Sequence, residues 1–267
     1  MNLYYSFITE LPDLEFDPDA KFDLPDQFLA HHRDKLQPED LELVRLLWYQ
    51  KFHDKVVEFL IGELESDEPL LRFDLSVFQS EAEDFHKLPN YLQNLVIWSE
   101  SQQEQSPRMQ VAQKLQTLYF EQLLGSENQF LQQWAEKELN LVNFLAARRC
   151  EILSVDKNKQ LIHGNEYVDL LLEYPTAEKI VRTEFSVASQ LVSILENNNY
   201  QEREFAVDKI RWNLIDEINR FEYFTVDVVL GYFQRLMLLE RWTTIFQSDK
   251  TVNPVEIANN LVKEKLR

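Results

Sequence analysis

The sequence predicts an all-α protein, and three observations carry that prediction. Only 4 glycines occur among the 267 residues, where average usage would supply roughly twenty. Hairpin-rich sheets need the positive-φ turns that glycine provides, so this scarcity favours long helices joined by few special turns. The stretch 225–246, TVDVVLGYFQRLMLLERWTTIF, is apolar almost all round when wound as a helix, and a helix of that kind is normally buried. Apolar residues also recur at helical spacing behind Pro38, Pro107, Ser126 and Pro254, the arrangement of amphipathic helices with marked starts.

Within 225–246, Val228, Val229, Tyr232, Phe233, Leu236, Met237, Leu239 and Phe246 cover one wide arc, which Leu230, Leu238 and Trp242 extend. Asp227, Gln234 and Arg241 form a narrow polar strip, so water is expected along one edge at most. Glu240 falls near the centre of the apolar arc. A carboxylate there needs a partner, because an unpaired buried charge costs several kcal/mol or is neutralised.

The remaining elements follow in order. Residues 2–11 read as a short aromatic segment, extended or a single turn. Residues 12–26 hold Pro12, Pro18 and Pro25 among acidic residues and read as an irregular strap. Asp17 and Asp19 imitate the start of a calcium loop, but Lys21, Phe22 and Phe28 occupy positions that need ligands or glycine. A helix opens at Pro38, with Glu39 and Asp40 favoured by the dipole of its first turn, and runs to Gly62. A second helical region covers 75–100 with a break before Pro89, and 102–106 is a polar gap. Pro107 starts the next helix, with Gly125 as its C′ residue.

Ser126 and Gln129 form a capping-box pattern for a helix over 127–153. Trp134, Leu139, Leu141, Val142, Leu145, Ala146, Ile152 and Leu153 make its apolar stripe, and Glu138 and Arg149 project into the middle of that stripe. Residues 154–165 are turn-rich and could form a small hairpin. Helices are expected over 166–173, 176–181, 184–196 and 200–221, the last with Val207, Ile210, Leu214, Ile218 and Phe221 inward and Arg211 in the same stripe. Pro254 begins a terminal amphipathic helix. Eight or so helices with short links make a multi-helix bundle or array in one domain, 1–267, with sub-lobes at 1–125 and 126–267. The four-residue echo between 57–60 (VEFL) and 142–145 (VNFL) is too short to establish a repeat.

Charge and composition exclude several functions. The formal net charge is −19, which disfavours nucleic acid or anionic membrane as a partner of the whole surface. Gly62, Gly125, Gly164 and Gly231 are too scattered to write a phosphate-binding loop. Cys150 stands alone, so there is no internal disulfide or thiolate metal cluster, and a cytoplasmic setting is expected. The first residues carry no positive segment of a secretory signal. No uninterrupted apolar run approaches the roughly 18 residues that span a bilayer.

Glu83 and His86 form an E-x-x-H pair, but a di-iron site needs a second copy, which the sequence lacks. No catalytic, cofactor-binding or metal residue is therefore expected. Glu138, Arg149, Arg211 and Glu240 are the notable side chains, each on a face expected to be buried. They read as interhelical ion pairs that fix register, with Glu240 expected within reach of Arg149 or Arg211. The functional alternative is a polar socket or a carboxylate of raised pKa in a helical enzyme.

Several segments carry a resemblance. Tyr4-Tyr5-Ser6-Phe7, Leu11-Pro12-Asp13-Leu14, Leu88-Pro89-Asn90-Tyr91-Leu92, residues 140–149 (NLVNFLAARR), Arg203-Glu204, residues 208–212 (DKIRW), Gly231-Tyr232-Phe233 and Leu239-Glu240-Arg241-Trp242 resemble a bacterial family of unknown function whose genes accompany V/A-type ATPase operons. More distantly, 140–149 looks like the N-L-x-x-x-L-R-A-R pattern of the C/d-type rotor component of V/A-type ATPases. Residues 232–242 are similar to that component's Y-L-x-x-x-E-x-x-N-L-R pattern, Glu240 matching its glutamate and Thr243 and Thr244 departing from the Asn-Leu. The resemblance implies a shortened helical funnel and a non-catalytic part that couples the central shaft to the membrane rotor ring. Its implied partners are the shaft and ring proteins of the V/A-type ATPase, with no cofactor. A free-standing helical adaptor and a helical enzyme using Glu138, Glu240 or the Glu83–His86 pair are the alternatives.

Overall fold

The computed structural model describes residues 3–17, 19–63, 84–102, 104–174 and 186–251, with side chains as far as Phe246 in the last stretch. The described residues form eleven α-helices joined by turns and short 3-10 segments, and no strand occurs among them. None of these helices is long and apolar enough to cross a membrane. The helices expected over 176–181 and after Pro254, Glu83, and most of the 75–100 region's first half lie outside the described residues.

Two compact units divide the chain, one from Met1–Val44 with Glu222–Arg267 and one from Arg45–Phe221. The division does not follow the expected 1–125 and 126–267 sub-lobes. Both flanks of the chain build the first unit, and the helices on either side of residue 125 pack on each other inside the second.

In the first unit, α1 (Tyr5–Glu10), α2 (Pro25–His32) and the start of α3 (Pro38–Trp48) accompany α11 (Val226–Thr251). Residues 12–17 and 19–24 are irregular, as expected of the strap over 12–26, but Pro25 and Asp26 at its end already belong to α2. Phe28 of α2 is the pivot, 1% exposed, with Phe7, Tyr232 and Phe233 rings 6.1, 5.7 and 5.6 Å away. Tyr4 fastens the first segment twice: its N–H donates to Phe224 O at 2.7 Å and its hydroxyl donates to Asp40. Burial and that acidic partner push the Tyr4 hydroxyl up to about 12.

On α11, Val229, Leu230, Phe233, Leu236, Leu238, Leu239 and Trp242 are buried as the pattern requires. The polar strip does not stay wet, however. Asp227 and Gln234 are both 4% exposed, and of the three only Arg241 reaches solvent, over the Trp242 ring. Asp227 lies in the first turn, where free backbone N–H groups favour a carboxylate.

The second unit is built around α6 (Arg108–Leu124) and α7 (Gln129–Leu153). α4 (His53–Leu60) and α5 (Asn90–Glu100) pack on α6, while α8 (Glu166–Glu173) and α10 (Tyr200–Ile218) pack on α7; α9 (Ala188–Leu195) packs on α10. The helix expected from Pro38 to Gly62 is interrupted by a 3-10 segment, Tyr49–Phe52, and α4 ends at a Gly62 with φ +69, a conformation that side chains resist. Gly125 ends α6 with φ −83, so it is an ordinary C-cap and not the left-handed residue expected.

The cap of α7 is Asn128, whose Oδ1 accepts from Leu131 N, while Ser126 Oγ accepts from Asn128 N. Ser126 therefore shapes the turn before the helix and does not cap it. Pro89 gives α5 no side-chain cap, and Gln122 of α6 fills that role by accepting from Tyr91 N at 2.7 Å. Residues 154–165 form no hairpin: Ser154 turns left-handed at φ 55, and a 3-10 turn follows at Lys157–Lys159.

Candidate protein-docking groove

α7 and α10 meet along one seam, and the seam changes character from end to end. At the buried end, Arg211 Nε donates to both carboxylate oxygens of Glu138 at 2.9 Å, and its Nη2 donates to Oε1 at 2.7 Å. Its Nη1 donates to Asp208 Oδ1 at 2.6 Å. Glu138 is 6% exposed and Asp208 fully buried. Burial opposes the charge on Arg211, but Glu138 and then Asp208 outweigh it and hold the guanidinium above its ordinary pKa. One cation between two buried carboxylates is a closed arrangement that fixes how α7 and α10 meet.

Toward the other end the same two helices open. Val142, Leu145, Arg149 and Ile152 continue the Glu138 face of α7 at three- and four-residue steps. Val207, Arg203 and Tyr200 continue the Arg211 face of α10 in the opposite direction. Met109, Ala112 and Gln116 of α6 complete a groove of about 640 Å³. Met109, Ile152, Leu153 and Tyr200 are 62–76% exposed, although each is a large apolar side chain. Arg149 is exposed as well, and Arg203 lies against the Tyr200 ring at 5.6 Å.

The floor is held by Asn143, which is fully buried. Its Nδ2 donates to Ile162 O and its Oδ1 accepts from Ile162 N, both at 2.8 Å. One side chain thus satisfies both backbone groups of Ile162 and pins the 154–165 connection against α7. Lys157 fastens the same connection by donating to Glu151, Leu171 O and Tyr174 O. Cys150 is buried nearby, and burial pushes its thiol up, which disfavours the thiolate.

Of the four embedded charges expected, the structure joins Glu138 to Arg211 and adds Asp208. Arg149 is not in the core: the C-terminal part of the α7 stripe lies on the open groove, where Arg149, Ile152 and Leu153 are exposed. Arg211 gives its hydrogen bonds to Glu138 and Asp208, and Glu240 is half-buried on α11. Phe221, expected inward, is 79% exposed beyond the end of α10. Asn143 and Asp208 escaped sequence reasoning, although a polar residue inside each apolar stripe was the available signal. Among the described residues no three His, Cys, Asp or Glu side chains cluster as a metal would require.

A second buried polar group lies where α4, α5 and α6 meet. His53 Nε2 is 2.8 Å from Tyr91 Oη, and the His53 and Tyr119 rings are 4.9 Å apart, edge to face. Burial holds His53 neutral, with its pKa pushed down to about 3. Enclosed by aromatic rings, it is a core histidine.

Residues 1–264 match the model of a family described as "Protein of unknown function (DUF2764)". No curated protein and no solved structure matches the chain. The chain belongs to the DUF2764 family.

Proposed function

Taking that family as the premise, we propose that the chain is a non-catalytic component or accessory protein of a V/A-type ATPase that couples the central shaft to the membrane rotor ring. The observation that carries this reading is where the segment resembling the ATPase's C/d-type rotor component falls. Residues 140–149 supply Val142, Leu145, Ala146, Arg148 and Arg149 to the groove, and Arg203 and Glu204 face them from α10. One of the two segments that resemble an ATPase rotor part, 140–149, thus borders an open surface with exposed apolar side chains, which is the usual character of a protein-binding face; the other, 232–242, lies on α11 and is largely buried. Such a part works on the cytoplasmic face, peripheral to the membrane through its partners. The Glu138–Arg211–Asp208 network suits it, since a part under torque gains from helices fixed in register.

The test is affinity capture of the tagged full chain from membranes of its native host under mild detergent. Recovery of shaft and ring proteins in fixed proportion is expected. Recovery of none of them, with the tagged chain intact and folded, overturns the proposal.

A further inference from the structure

We propose that the α6–α7–α10 groove binds an amphipathic helix of a partner protein whose apolar face is flanked by acidic side chains. The apolar half of the argument is geometric. From Val142 to Leu153 the α7 stripe runs about 17 Å at 1.5 Å per residue, so an occupying helix would lay roughly three turns along it. Met109, Ile152, Leu153 and Tyr200 stand 62–76% exposed along that length. A trough this open would leave a small ligand half in water, whereas ligand pockets enclose most of their occupant. A helix needs just such an open side, because its far face stays wet.

The charge half rests on Arg149 and Arg203. Neither has an ion-pair partner among the described residues, although the chain carries 46 acidic and 27 basic residues. Where acids so outnumber bases, most cations find a carboxylate within the chain. Arg211, Arg148, Arg108 and Lys157 each do. Two guanidinium groups left over on the rim of one apolar groove complement acidic flanks on an occupant. Arg203 lying on the Tyr200 ring keeps its charge at the rim rather than in bulk water. This inference deepens the coupling proposal by naming the chemistry of one partner element, but it does not need that partner to belong to an ATPase.

The probes are three synthetic helical peptides, titrated calorimetrically into the full chain. One has a leucine face with glutamate flanks, one the same face with lysine flanks, and one glutamate flanks with serine in place of leucine. The first should bind, with the second and third at least about tenfold weaker. In Arg149→Glu/Arg203→Glu the preference between the first two should invert, and Ile152→Ser should weaken both. Arg149 and Ile152 are exposed and Arg203 is half-buried, and unchanged circular dichroism would show that the variants fold. Equal binding of the two charge forms, or a double variant that binds as the parent does, overturns the proposal. Dodecanoate binding in the groove while every peptide fails would make it a lipid site and overturn it too, as would a dimer of the chain alone that Ile152→Ser dissolves. Peptide failure leaves the membrane capture result standing, and capture failure with peptide binding intact rejects only the ATPase assignment.

Discussion

The two ends of the α7–α10 seam are made of the same kinds of residue and put them to opposite uses. At one end Glu138, Asp208 and Arg211 close on one another and are shut away from water. Two to three turns along, at about 3.6 residues per turn, Arg149 and Arg203 sit beside apolar side chains of the same two helices and pair with no described carboxylate. The helical spacing that brings Glu138 to the seam also brings Arg149 to it. What separates them is depth: Glu138 is buried, whereas Arg149 is exposed and Ile152 and Leu153 beside it are 76% and 62% exposed. A charge in an apolar stripe therefore marks a seam, and the packing around it decides whether it serves as a lock or as a contact.

The sharpest way to break this comparison is to remove the cation at each end. Arg211→Met would leave Glu138 and Asp208 buried together without their counter-charge, and should cost about 3–5 kcal/mol in urea-unfolding free energy. Arg149→Met should change the same measurement by no more than about 0.5 kcal/mol. Equal effects at the two ends would show that the seam is not divided as described.

Asn143 sharpens the comparison between the two ends by testing the floor of the open one. Asn143→Ala should cost about 2 kcal/mol, because Ile162 N–H and C=O lose their partners in a dry site. Amide exchange at Ile162 should quicken in that variant while exchange at Trp134 does not. A smaller cost, about 1 kcal/mol, is expected for Gly62→Ala, where φ is +69.

His53 supplies a pH signature that belongs to the second unit alone. Its pKa falls from 6.5 to about 3 on folding because it is buried. The unfolded chain therefore binds more protons in that interval, and stability must rise with pH across it. The contribution is complete above about 6.5 and is progressively lost as pH drops toward about 3. In His53→Gln the acid limb of a plot of urea midpoint against pH should be shallower by up to one proton. An unchanged limb would show that the imidazole is not dry.

Much of the fold was legible before any coordinates. Glycine scarcity and 3.6-residue periodicity depend on backbone geometry alone, so they announced helices, and the α8 span of 166–173 coincides with its expectation. Cap chemistry was legible to within two residues: Ser126 and Asn128 both suit the start of α7, and local turn geometry chose Asn128. Glu138 and Arg211 were visible as misplaced charges, but their pairing was not. Partner choice depends on which helices face each other across 73 residues of chain, and periodicity carries no information about that.

The sequence by itself determined that the chain is helical, where most helices begin and end, and which side chains would have to be accounted for inside. Tertiary structure alone decided that Arg211 locks to Glu138 and Asp208, that Arg149 and Ile152 emerge on a rim, and that Asn143 ties down a distant loop. The reason is physical. Helix formation is written in contacts three and four residues apart, whereas burial is a property of whatever else arrives to cover a face.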